Sequence, residues 1–108
     1  MAKEYVYTRR MEESAILFFG SVNHVYDTEY CHMYVDAQKK VMNELLSKGE
    51  RVFLNEALDA LSYNLIPAGQ CVGWDHGEVV IECDWENETI TFRCEEILSR
   101  WIKEVEKK

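Results

Sequence analysis

Three histidines, His24, His32 and His76, and four cysteines, Cys31, Cys71, Cys83 and Cys94, are the side chains best suited to chemistry near neutral pH. None of the histidines stands in a recognised spacing with a cysteine, serine or acid. Cys31-His32 puts two metal-ligand types side by side, but neighbours on a strand point to opposite faces. Asp75-His76-Gly77 has the composition of a tight turn, which leaves His76 exposed rather than catalytic. No two cysteines form a C-x-x-C pair, so they read as mostly buried thiols of a reducing compartment. A zinc site of three cysteines and a histidine is the alternative, and disulfides are the other. Glu12-Glu13 and Glu95-Glu96 sit where helices would begin, and the helix dipole accounts for acids there. Gly69, Gly73 and Gly77 are not a phosphate loop, because no Lys-Ser/Thr follows them. No G-x-S-x-G, H-E-x-x-H or Walker pattern occurs. The expectation is a non-enzymatic protein with no cofactor and no metal.

Charge gives a sharper signal. The formal net charge is −8. Between Arg51 and Arg93 there is no lysine or arginine, while Glu56, Asp59, Asp75, Glu78, Glu82, Asp84, Glu86 and Glu88 all fall there. The whole acidic excess therefore lies in this interval. A direct nucleic-acid binder needs the opposite sign. A solvated face that aids solubility accounts for the acids. The more specific alternative is a negative surface that docks on a basic partner. Tyr63, Trp74 and Trp85 lie at or near turns beside these acids, either as lids on the core or as binding anchors. Aromatics with a charged rim suit a protein interface better than a substrate pocket. The candidate partner-binding set is Tyr63, Trp74, Asp75, Glu78, Glu82, Asp84, Trp85, Glu86 and Glu88.

The elements that must position these residues are readable in part. The 108 residues, 47% of them hydrophobic, suffice for a single domain with a packed core. With no membrane-length apolar run and no signal-peptide pattern, a cytoplasmic location is expected. The sequon Asn87-Glu88-Thr89 therefore carries no weight. Glu4 to Thr8 alternates weakly, as a short edge strand would, and Arg9 to Ser14 suits a helical turn. Ala15 to Phe19 reads as a helix fraying at Gly20 or as a strand. Tyr30, Met33, Tyr34 and Ala37 would suit one face of a long helix, but Val25-Tyr26 and Tyr30 to Val35 are rich in aromatic and β-branched residues around Asp27-Thr28-Glu29, and the reading preferred is a hairpin near 25–35. Asp36 would then cap a helix over about 36–48, with Ala37, Val41, Leu45 and Met42 buried and Gly49 as its stop.

Phe53 to Trp74 is the densest block of structural signals. Arg51-Val52-Phe53 is a short extended piece. Asn55 would cap a helix over about 55–62, with Leu54, Leu58 and Leu61 on one face. Pro67 and Gly69 mark a loop, and Val72-Gly73-Trp74 leads into the sheet. The clearest element is a hairpin over about 78–94. Its alternation sets Cys83 against Ile90, Ile81 against Phe92 and Val79 against Cys94, with Glu82 and Asp84 on a wet, acidic face. An amphipathic helix over about 95–107 closes the chain, with Ile97, Leu98, Trp101, Ile102 and Val105 as its stripe. The fold class expected is α+β, a small antiparallel sheet packed on two or three helices.

Leu54-Asn55-Glu56, Asp59, Ile66, Gly69 and Gly73-Trp74 carry a resemblance to an uncharacterised family of small proteins of phages and mobile elements of Gram-positive bacteria. It extends through Tyr26-Asp27 and into the strand from Glu78, over the middle two thirds of the chain. Family members often have glycine where Ser62 stands, and some resemble membrane-tethered proteins. The resemblance implies a phage or mobile-element origin and transfers no functional residue. Joined to the acidic interval, it suggests an inhibitor of a bacterial defence complex (anti-CRISPR-like) that covers a basic nucleic-acid-binding host protein. A self-associating assembly protein of the phage or element is the alternative, and a small zinc module is the third.

Overall fold

A computed structural model describes residues 4–14, 17, 21–22, 25–26 and 28–99. The fold is α+β, with two helices and a five-stranded antiparallel sheet among the described residues. The strands are β1 (Glu4–Arg10), β4 (Val52–Phe53), β5 (Val72–Trp74), β6 (Val80–Asp84) and β7 (Thr89–Glu96). Ser21–Val22 (β2) and Val25–Tyr26 (β3) pair separately with each other. Helix α1 spans Thr28–Ser47 and α2 spans Leu54–Ala60. No helix among the described residues is long and apolar enough to cross a membrane.

β7 is the spine of the sheet. One edge pairs with β1 from Thr89 to Glu95, Glu4 opposite Glu95 and Arg10 opposite Thr89. The other edge changes partner. Thr89 to Arg93 pair with β6, while Glu95 and Glu96 pair with β5. The predicted hairpin register holds, with Cys83 opposite Ile90 and Ile81 opposite Phe92. Alternation fixes it, because a slip of one residue would turn Ile81, Phe92 and Ile90 out of the core. Val79 precedes the pairing and instead donates its N–H to Asn43 Oδ1 at 2.7 Å, tying β6 to α1.

Helix α1 replaces the hairpin expected near 25–35. Val25-Tyr26 is extended, but it turns back on Ser21-Val22, and the chain is helical from Thr28. Strand propensity around Tyr30 to Val35 loses to burial of a helical stripe. Cys31, Val35, Met42 and Leu46 recur at helical spacing and all face the core. Asp36 is therefore an exposed mid-helix residue, not a cap. The stripe is also rotated from the expected one. Ala37 is exposed and Val41 is 55% exposed, while Leu45 is only partly buried. Gly49 does stop the helix, at φ 80°, with its N–H on the Leu46 carbonyl at 3.0 Å.

Two other expectations change at the ends of elements. β1 continues through Arg9 and Arg10, and only Met11–Glu13 forms a short 3-10 turn. β7 continues through Glu95 and Glu96, where a helix start was expected. The Glu96 carboxylate accepts the Ser99 N–H at 3.0 Å, as an acid opening a helix does. Most of the helix expected over 95–107 lies outside the described residues, as do His24, Trp101 and, apart from Leu17, the run 15–19.

Candidate functional site

The family-like block folds into a junction of β4, α2 and β5. Helix α2 opens one residue before the expected cap. Phe53 holds the cap position, and Glu56 accepts its N–H at 2.7 Å. Asn55 is turned away from the helix end. Its Oδ1 accepts the Ile66 N–H at 3.0 Å and sits against Gly69, where an added Cβ would lie 2.0 Å from that oxygen. At Gly73 an added Cβ would lie 2.1 Å from the Val52 carbonyl oxygen, so only glycine lets β5 meet β4. Leu54 and Leu58 are buried beneath. The residues that carry the resemblance thus hold backbones together. None of these observed contacts is a chemical group presented to a ligand.

Helix α2 ends earlier than expected, at Ala60. Ser62 takes φ 59°, a left-handed conformation that costs a residue with a Cβ. A glycine at this position would avoid that cost.

Two of the candidate anchors are core lids. Tyr63 is buried, its hydroxyl donating to the Arg10 carbonyl at 3.0 Å and its ring edge-on to Phe92. Trp74 is buried too, and its indole N–H donates to the Arg93 carbonyl at 2.7 Å, where β7 passes from β6 to β5. Neither is exposed for a partner. Trp85 differs: it is half-buried on the loop joining β6 to β7, with its ring centroid 4.9 Å from that of His32. Its indole N–H donates to His32 Nε2 at 3.2 Å.

The acids divide in the same way. On the outer face of the sheet, Glu82 pairs with Arg93, which also meets Glu4 at 3.2 Å. Arg10 stands in the same cross-strand row as Asp84, two strands away across Thr89. That face carries mixed charge, not the purely acidic one expected from the hairpin alone, because Arg93, at the end of the interval, and Arg10 of β1 both stand on it. Asp84 is exposed and turns onto the loop, accepting from the Asn87 N–H at 3.2 Å and the Asn87 amide at 2.8 Å. These hydrogen bonds hold its carboxyl below the usual range. Glu56 is spent on α2. Asp75 Oδ1 stands 2.6 Å from His76 Nδ1. Glu78, Glu86 and Glu88 are exposed and have no ion pair among the described residues.

The loop tip is rigidly placed. Glu88 takes φ 54°, and its carbonyl accepts the Met11 N–H at 2.8 Å. Asp84, Glu86 and Glu88 therefore flank Trp85 in the chain, on a tip anchored to the 3-10 turn that follows β1.

The cysteines do not assemble a metal site among the described residues. Burial pushes the Cys83 thiol up to about 11 and the Cys94 thiol up to about 12, both far from the thiolate that binds zinc. The cluster that does assemble is one sequence reasoning separated: Asp75, His76 and Glu95. Asp75 and His76 looked like a plain turn, and Glu95 looked like a helix start. The alternation Cys94 inward, Arg93 and Glu95 outward was the available signal.

No curated protein and no solved structure matches the chain. A family model matches it over residues 1–106, nearly end to end. The chain belongs to that family, the family of unknown function DUF6353.

Proposed function

We propose that the protein is a non-enzymatic binding module of the cytoplasm that docks on a basic partner protein through the tip of the β6–β7 hairpin. The observation that carries this is the half-buried Trp85 on a loop whose Glu86 and Glu88 are exposed and lack ion-pair partners among the described residues. An aromatic centre with a charged rim is the anatomy of a protein interface, and the sign selects a basic surface. The partner class that fits is a nucleic-acid-binding protein whose basic channel the tip would cover. Encoding by a phage or mobile element, and inhibition of a host defence complex, belong to the same proposal through the resemblance carried by Leu54-Asn55-Glu56 and Gly73-Trp74.

The test is binding to purified RNA-guided and other defence nucleases at rising salt, with wild type beside Glu86→Lys/Glu88→Lys. Binding that weakens with salt and is lost in the variant supports the tip as the contact. Binding indifferent to both removes the acids from it.

A second proposal, self-association of an assembly protein, is favoured by two observations. Among the described residues β1 pairs only with β7, leaving its other edge without a strand from them, and Met33 and Val41 on α1 are 68% and 55% exposed. Light scattering separates the two readings, since a stable oligomer supports the second.

A further inference from the structure

Away from the hairpin tip, metal-ligating side chains from two parts of the chain, Asp75 with His76 and Glu95, meet at the notch where β7 changes partner. The chain leaving β5 turns over this notch, with Gly77 at φ 73°, and carries Asp75 and His76 there. Glu95 of β7 lies beside them, and Glu4 of β1 stands directly opposite Glu95. Two carboxylates facing each other across neighbouring strands repel and destabilise the pair. Arg93 meets Glu4 at 3.2 Å, but it is shared with Glu82. His76 Nδ1 lies 2.6 Å from Asp75 Oδ1, and its Nε2 lies 3.8 Å from Glu95 Oε1. Glu4, His76 and Glu95 all border an open cleft of about 390 Å³.

We infer that His76 and Glu95 form a site for a divalent cation of the zinc type, with Asp75 orienting the imidazole and Glu4 adding negative charge. A metal-binding histidine almost always donates its other ring N–H to a carboxylate or carbonyl, which fixes the tautomer. Asp75 is placed to receive that N–H, and Nε2 is then the lone pair that faces Glu95. Nitrogen and oxygen ligands at zinc distances stand about 3.3 Å apart in tetrahedral geometry. The observed 3.8 Å closes with a small rotation of the His76 ring, which is 72% exposed. Imidazole in the donor set favours zinc over magnesium. The open cleft leaves the remaining positions to water. A cation here cancels the Glu4–Glu95 repulsion and clips the 75–79 segment onto β7. This donor set is distinct from a thiolate one, since Cys83 and Cys94 are held as neutral thiols. It stands independently of any docking by the hairpin tip.

The experiment is calorimetric titration of the full, tag-free chain with zinc chloride, with thermal unfolding followed alongside. Expected are a single saturable equivalent and a Tm that rises with zinc. Affinity should fall about tenfold or more in His76→Ala and in Glu95→Gln, and stay unchanged in Cys83→Ser. The ¹⁵N shift of His76 Nε2 should also move on zinc addition, a readout that needs no variant. Absence of saturable binding, wild-type affinity in both variants, loss in Cys83→Ser instead, or an unmoved Nε2 resonance would each overturn the site.

Discussion

At Gly73 one added carbon would lie 2.1 Å from the Val52 carbonyl oxygen, whereas the Glu86 side chain on the β6–β7 tip is exposed. The two regions are close in sequence but answer different demands. Around Gly73 the constraint is backbone on backbone, with Asn55, Gly69 and Trp74 each matched to one neighbour. Around Glu86 the backbone is fixed and the side chains are left outside. The family-like residues cluster in the first region, and Glu86 and Glu88, two acids with no ion pair among the described residues, stand in the second. A sequence signature can therefore mark where a fold is held together while saying nothing about where it meets a partner.

The most severe way to break this contrast is Gly73→Ala. The β4–β5 pair must shift to admit the methyl group, and we expect a loss of about 3 kcal/mol in urea unfolding. A loss below about 1 kcal/mol would mean the junction is looser than its geometry. Asn55→Ala comes next. It leaves the Ile66 N–H without its acceptor, at a cost of roughly 1–2 kcal/mol by the same measurement. Ser62→Gly sharpens the contrast from the other side. It relieves the left-handed backbone at Ser62 and should stabilise by roughly 0.5–1 kcal/mol. Smallest of all, Glu86→Lys/Glu88→Lys should change stability by no more than about 0.5 kcal/mol, since neither acid has an ion pair to lose among the described residues.

A pH series tests the core beneath both regions. Burial raises the Cys83 and Cys94 thiols from 9.0 to about 11 and about 12. Above pH 9 the unfolded chain loses these protons before the folded one does. The stability the neutral thiols contribute is complete below pH 9 and falls as pH rises toward 11 to 12. Cys83→Ala should flatten that alkaline limb in denaturant titrations, and an unchanged limb would assign it elsewhere.

What the sequence made legible follows the same division. The β6–β7 register was readable because Ile81, Cys83, Ile90 and Phe92 alternate, and alternation admits one pairing with a buried face. The start of α1 was not readable, because Tyr30 to Val35 favour a strand locally. Only the sheet they pack on makes the stripe Cys31, Val35, Met42 and Leu46 decisive. Asn55 looked like a cap because caps are local, whereas its true partner, Ile66, is a tertiary one. The base-free interval was real in sequence. Yet Arg93 and Arg10 stand on the sheet face in space, while Glu78 and, on the tip, Glu86 and Glu88 have no ion pair among the described residues. Trp85 stays half-buried on the loop joining β6 to β7. Tyr63 and Trp74 share its turn-like setting but are buried. Residues as far apart in sequence as Glu4, His76 and Glu95 meet only through β7, which no local pattern announces.

The most direct test of the division compares wild type with folded Glu86→Lys/Glu88→Lys on one bacterial lysate, with retained proteins quantified by mass spectrometry. The account predicts a basic protein retained by wild type, released at high salt, and depleted about tenfold or more in the variant. Equal retention of the same proteins by both forms would contradict it.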